Sequence, residues 1–466
     1  MNSELASKSI TDLAPLIKGK EVSPVELTEA VLTQAEVNNG NINAYIKITS
    51  DEARQAAKKA EDEIVKGNYR GSLHGIPMAL KDIFYFKDEI VTVGSKISKD
   101  FVPDFDATVV SKLKKAGVIF TGKLNLHEYA WGTTTNNPHY GACRNPWNFE
   151  RIPGGSSGGS GAAVAANMTT ASLGTDTGGS VRIPASACGI IGLKPTYGRV
   201  SKYGCFPLAS SLDHIGPMTK TVHDASILLE LIAGFDKKDT TTIDTPTEKY
   251  SSDLSDGVKD IVIGIEEDYF FKDVDSEVEK LTKSAIHSLE RMGARIERVS
   301  VPSLLELEYA QMITVAAEAG SVHRQNLQIC SEQFGEDVRV SAEFGQLVSA
   351  VEYLRAQQIR YKISSDFKEL FNKIDVLISP TLPFIPPAIG SSKALLNGEE
   401  VNLSDIMRLT RPANLTGLPA ISIPCGLSEG LPIGMQIIGA PFKESIILRV
   451  AKAFENTYSL RGLTVS

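Results

Sequence analysis

IPGGSSGGSGAAVAANMTTASLGTDTGGSVRIPASA, residues 152–187, decides how this chain is read. Two polar turns, Gly154 to Gly161 and Thr177 to Ser180, enclose a small-residue run whose Ala and Val side chains add little beyond the backbone. Glycines of this kind let the main chain approach a ligand and present N–H groups in place of side chains. Such a turn serves as a phosphate cradle or as an oxyanion hole. A phosphate loop needs G-x-x-x-x-G-K-[ST], and neither turn holds the lysine. The near match from Gly117 to Leu124 puts Leu124 where the magnesium-binding hydroxyl belongs, so nucleotide binding is disfavoured. An oxyanion hole needs a nucleophile, and Ser180 follows two glycines at a predicted helix start. The amides of Gly178, Gly179 and Ser180 would then converge on one point, helped by the positive end of the helix dipole. A glycine turn with a serine cap looks the same in isolation, so the surrounding residues must decide.

They resemble a known pattern. Gly155-Ser156-Ser157-Gly158, followed by Gly174-Thr-Asp176-Thr-Gly-Gly-Ser180-Val-Arg182-Ile-Pro184, is similar to the motif of the amidase signature family, and the interval from Ser156 to Ser180 matches that family's spacing. Upstream, Gly75-Ile-Pro77-Met-Ala-Leu-Lys81-Asp82 matches its lysine stretch. The similarity covers nearly the whole chain and is densest from Gly75 to Pro217. It implies an α/β fold in which a large mixed β-sheet is surrounded by helices. It implies Ser180 as nucleophile, Lys81 as base and Ser156 as the relay between them, with a cis bond after Gly155. Thr177, Gly178 and Gly179 are expected at the oxyanion and substrate. Ala130, Gly132 and Thr133, from the preceding loop, are expected to touch substrate, with Ser157, Asp176 and Arg182 supporting them.

Amide cleavage requires a nucleophile, a base that later protonates the leaving amine, and donors for the oxyanion. The usual base is histidine, yet all seven histidines (His74, His127, His139, His214, His223, His287 and His323) lie outside the two glycine turns. None has the H-E-x-x-H spacing of a zinc site, and neither a metal nor an organic cofactor is expected. Lysine ordinarily titrates near 10.4 and is charged at neutral pH, so Lys81 must be buried to act as a base. The apolar run Ile76 to Leu80 reads as a buried strand that would place it so. Without the family pattern, Lys81-Asp82 would read as an ordinary charged pair.

The remaining sequence is scaffold. The 466 residues are 42% hydrophobic and 22% charged, enough for a large core. The net charge of −8 leaves no basic footprint for nucleic acid or anionic lipid, and neither a leader-like amino terminus nor a long apolar span is seen. Five scattered cysteines without C-x-x-C spacing suit a reducing compartment, and the expected location is cytoplasmic. Helices are predicted after the capping box Ser23-Pro24-Val25-Glu26, over 51–66, after a cap at Asp106 as far as Gly117, over 221–235, over 276–292, over 304–330 and over 345–371. Strands are predicted at 73–80, 118–121, 261–264, 376–380, 420–424 and 433–438. The polar loop 129–144 should line the site. Residues 236–259, rich in hydroxyls and charge, read as a surface connection between a core at about 70–220 and a carboxyl-terminal lobe at about 260–466, both within a single domain.

The chain is therefore read as an amidase hydrolysing a small-molecule carboxamide through a serine acyl-enzyme; a homodimer is compatible. One alternative is the branch of the family formed by the A subunits of glutamyl-tRNA(Gln) amidotransferase, glutaminases that supply ammonia to partner subunits. That branch typically carries Ile-Arg-Gln-Pro where Val181-Arg182-Ile183-Pro184 stands. Its glutamine-holding arginine falls near Val340 or Ser341 and its aspartate near Met407, two residues from Asp405. A second alternative, a non-catalytic binding protein on this fold, would be expected to lack Lys81, Ser156 or Ser180.

Overall fold

Short apolar runs become strands and amphipathic stretches become the helices that cover them. The computed structural model describes residues 3–458. Strands β1 (Tyr45–Ile48), β2 (Pro77–Lys81) and β3 (Ile119–Leu124) form a small sheet in the order β1-β3-β2, with β3 antiparallel to β1 and parallel to β2. Every residue of β2 is buried, as in a strand covered on both faces, and Lys81 ends it. The loop after β3 carries a minimal hairpin, β4 (Asn136–Asn137) and β5 (Gly141–Ala142).

The main sheet draws on β6 (Ser172–Asp176), β7 (Ile191–Lys194), β8 (His214–Thr219), β9 (Val262–Ile265), β10 (Arg295–Arg298) and β11 (Val376–Pro380). A separate hairpin, β12 (Lys393–Leu396) and β13 (Glu399–Asn402), precedes the two long strands β14 (Ala420–Ser428) and β15 (Leu431–Gly439). The eight-stranded order is β10-β9-β11-β15-β14-β7-β8-β6. Strand β9 is parallel to both neighbours and the other pairs are antiparallel. The mixed sheet surrounded by helices is the expected α/β class. Strands from before and after residues 236–259 share this one sheet.

Local chemistry explains several boundaries. Ser23 caps the helix Pro24–Ile42 with Glu26 completing a capping box, and Asp275 caps Ser276–Arg291. Four expectations are corrected. Asp106 does not cap the helix Thr108–Ala116; its carboxylate instead accepts from the Lys87 N–H and pairs with Lys114. The segment 304–330 begins as a 3-10 turn, Pro302–Glu306, and becomes α-helical at Leu307. The segment 345–371 is two helices, Glu336–Leu347 and Ala350–Leu370, because Ser349 and Glu352 form a capping box that starts a new helix. Finally, 236–259 is more than a surface connection. Asp236 accepts from Thr108 Oγ1 at 2.5 Å and Ser201 Oγ at 2.6 Å, and Tyr250, Leu254 and Val258 are buried. No helix among the described residues is long and apolar enough to cross a membrane.

Candidate active site

The two glycine turns meet at the end of the small sheet. Strand β6 delivers the second turn, since it is buried throughout and ends at Asp176, opposite His214 of β8. Ser180 follows at 7% exposure, two residues before the seven-residue helix Arg182–Cys188, while Ser156 lies buried before the helix Gly158–Ala165. The Gly155–Ser156 peptide bond is cis. The Ser157 N–H donates to the Ser180 carbonyl at 3.3 Å and the His127 N–H to the Ser156 carbonyl at 3.1 Å, which ties both turns to the loop after β3. Close packing needs the glycines here: a Cβ on Gly155 would lie 2.7 Å from the Thr133 backbone.

Lys81 reaches this junction from β2. Its Nζ donates to Ser156 Oγ at 2.8 Å and to Thr175 Oγ1 at 2.7 Å, and no carboxylate bonds to it among the described residues. Burial pushes its pKa down to about 7, against the opposing pull of Cys205, Asp213 and Asp176. Sequence reasoning misses Thr175, although its place in Gly174-Thr-Asp176 lies within the motif.

Asp176 and Arg182 form a wholly buried pair at 3.1 Å. Burial alone would raise the Asp176 pKa, but the Arg182 guanidinium, helped by Lys194 and Asn414, holds it well below the usual carboxylate range. Arg182 also donates to Asn414 Oδ1 at 2.7 Å and Gln436 Oε1 at 3.1 Å, partners the sequence does not reveal. The pair fixes the turn, and in doing so it changes the expected donor set. The Gly179 N–H donates to Asp176 Oδ1 at 2.8 Å and is committed there. The N–H groups of Gly178 and Ser180 form no hydrogen bond within the described residues. Ser157 Oγ bridges to the Thr175 carbonyl at 3.3 Å. Thr177 Oγ1 donates to Asp213 at 2.6 Å, and Thr410 Oγ1 donates to the Gly178 carbonyl at 2.6 Å, closing the turn from behind.

In front of Ser180 lies a cavity of about 380 Å³. Ala130, Gly132 and Thr133 line it with Thr177 and Gly178, and so do Val340, Ser341 and Met407. Asp405 is absent from its wall, and among the described residues no aspartate or glutamate lines it. Met312, Val315, Ala316 and Phe344 make it apolar, and among the described residues that line it Arg411 is the one charged side chain. A second cavity of about 260 Å³ shares Ala130, Thr177 and Leu208 with the first and reaches Thr175, Cys205, Asp213 and His214. Two histidines on the flanking elements each have a ring nitrogen engaged elsewhere, although His214 Nε2 is buried without a partner among the described residues. His127 Nε2 lies 2.8 Å from Asp337, and His214 Nδ1 lies 2.6 Å from the Leu212 carbonyl. Among the described residues no group of three His, Cys, Asp or Glu is arranged to hold a metal ion.

A family model described as Amidase matches residues 26–448. The A subunit of glutamyl-tRNA(Gln) amidotransferase from Geotalea daltonii is 43% identical, over 97% of each chain, and that from Geobacter sp. strain M21 is 41% identical over the same shares. Among solved structures, a vestigial protein complex described as revealing the evolutionary origins of an s-triazine catabolic enzyme is similar at 33% identity and TM-score 0.94, covering 98% of this chain and 100% of that one. The corresponding amidotransferase chain from Thermotoga maritima follows at 36% identity and TM-score 0.83, covering 98% and 96%. A bacterial aryl acylamidase of the amidase signature family matches at 28% identity and TM-score 0.89, covering 96% of each chain.

Proposed function

We propose, from the premise that this chain belongs to the amidase signature family, that it hydrolyses a carboxamide to a carboxylate and ammonia or an amine through an acyl-enzyme on Ser180. The observation that carries this reading is the contact of buried Lys81 Nζ with Ser156 Oγ at 2.8 Å. A lysine whose pKa lies about 7 is substantially neutral at physiological pH and has a lone pair to offer. Neutral Lys81 takes the Ser156 proton as Ser156 takes that of Ser180, and Ser180 Oγ adds to the carbonyl carbon. The N–H groups of Gly178 and Ser180 receive the oxyanion. The proton returns through Ser156 to the leaving nitrogen as the C–N bond breaks, and water repeats the sequence to release the acid and restore Ser180. Asp176, Arg182 and Ser157 hold the turns. No metal or organic cofactor has a step in this scheme, and the free cysteines accord with a reducing cytoplasm.

The relatives in Geotalea and Geobacter favour a second reading, a glutaminase working with partner subunits. Against it stands the wall of the cavity: Val340, Ser341 and Met407, near which the resemblance puts that branch's glutamine-holding arginine and aspartate, line it and carry no charge. The test is labelling with a serine-reactive fluorophosphonate. Wild type is expected to be modified at Ser180 and to release acid from amides by itself, whereas Ser180→Ala is expected to do neither while remaining folded. Labelling elsewhere, or full turnover by Ser180→Ala, refutes the nucleophile. Ammonia release from glutamine alone among amides would favour the second reading.

A further inference from the structure

Two polar groups stand out in the apolar cavity, and the catalytic scheme uses neither. Gln311, 3% exposed, donates its Nε2 to the Thr177 carbonyl at 3.3 Å, yet its Oε1 is buried without a partner among the described residues. A buried acceptor left unpaired costs free energy, so its place at the Gly178 turn calls for a donor from the ligand. Arg411, 8% exposed, follows Thr410 and bonds through Nη1 to Glu308 Oε1 at 2.9 Å. It makes no other side-chain hydrogen bond among the described residues, which leaves Nε and Nη2 of its planar fork uncommitted. Glu308 is 68% exposed and holds Arg411 in a partly solvated pair of small strength. Glu308 and Gln311 sit one turn apart on the helix Leu307–Cys330, so Arg411 and Gln311 face the same end of the cavity.

We propose that the substrate is a half-amide: the scissile carboxamide at Ser180, a short apolar spacer, and a carboxylate bound by Arg411. This rests on the amidase reading and specifies its substrate class. An amide N–H satisfies Gln311 Oε1, the spacer lies against Met312, Val315 and Phe344, and the carboxylate meets the guanidinium, which suits bidentate binding. Among the described residues that line the cavity Arg411 is a cation and none is acidic; Glu308, which takes one Arg411 nitrogen, and Asp405, which feels the same guanidinium, stand outside the lining. Arg411 and Gln311 are thus specificity-determining residues.

The test measures binding in Ser180→Ala, which holds substrate without turnover. Titration calorimetry would compare glutaramic and adipamic acids with their uncharged matches, pentanamide and hexanamide. At least one half-amide is expected to bind roughly tenfold tighter than its match. Arg411→Gln in the same background is expected to erase that preference and Arg411→Lys, which keeps the charge but loses the fork, to reduce it. An Arg411 that merely braced two helices would weaken both ligands equally and leave the ratio intact. Glutamine, which is glutaramic acid bearing an ammonium group, is expected to bind less tightly than glutaramic acid. The proposal is overturned if no half-amide outbinds its match, if the preference survives both Arg411 variants, or if glutamine binds tighter. Failure of the amidase reading would appear separately, as absent fluorophosphonate labelling of Ser180 in the wild-type protein.

Discussion

Lys81 Nζ and Thr175 Oγ1 lie 2.7 Å apart, both buried, on strands of two different sheets. With Ser156 Oγ at 2.8 Å, Thr175 supplies neutral hydrogen-bond partners to a lysine to which no carboxylate bonds among the described residues. Two hydroxyls solvate an ammonium far less than water does, and the amine is favoured accordingly.

On the proposed reading, in which Lys81 is the base, that environment sets the rate against pH. With its pKa at about 7, Lys81 is protonated below that pH, where it has no lone pair to offer, and neutral above it. A pH profile of kcat/KM on wild type is expected to rise through an inflection near 7 and then level. Lys81→Ala is expected to lose the limb and roughly a thousandfold in rate or more, and Ser156→Ala to lose rate but less than Ser180→Ala. A limb that persists in Lys81→Ala would move the base to another residue, with His127 and His214 the first to test.

The same shift couples to stability. Folded Lys81 releases its proton near pH 7, whereas an unfolded lysine holds it to about 10.4. Between those values the unfolded chain binds more protons, so this group makes stability rise with pH across that window. Lys81→Met is expected to stabilise the fold most at pH 6 and progressively less toward pH 10. Denaturant unfolding of both proteins across that range checks the sign.

Thr175→Val removes one of the two acceptors of the Lys81 ammonium and leaves a methyl in the place of the hydroxyl. The ammonium loses more than the amine, so the kcat/KM inflection is expected to move to lower pH with part of the rate retained. An inflection that stays or moves up would show that the hydroxyl favours the neutral form instead.

Asp176→Asn keeps the shape of the turn but strands the Arg182 charge in the interior. Breaking a buried pair in this way costs about 3–5 kcal/mol, and the Gly179 N–H exchanges a charged acceptor for a neutral one. Urea unfolding is expected to show the loss, with activity falling as well because the turn carrying Ser180 loosens. A variant of wild-type stability would mean that Asn414 and Gln436 alone hold the guanidinium.

Sequence determined the parts of this protein that depend on local backbone and residue identity. Lys81, Ser156 and Ser180 stand in stretches where glycine permits close approach and a hydroxyl or amine recurs at fixed spacing, and Asp176 and Arg182 belong to the same run. Strand β11 was legible because a continuous apolar run has few other places to go, whereas β2 begins only at Pro77 and the first residues of its predicted run, 73–76, lie outside it. The capping box at Ser349 is a local signal that the reading of 345–371 as one helix passed over, because the apolar pattern continues on both sides of it. Tertiary structure alone decided what surrounds Ser180. Gln311, Thr410, Arg411, Asn414 and Gln436 come from segments over a hundred residues beyond Ser180 and share no periodicity with it. They meet the turn because β14 and β15 run between β7 and β11 in the main sheet, which brings the helix Arg411–Leu415 behind Gly178 and the helix Leu307–Cys330 over the cavity. The committed Gly179 N–H has the same origin in part: Asp176 turns toward it while held by Arg182 and Asn414, and a three-dimensional hydrogen-bond network leaves no trace in spacing along the chain.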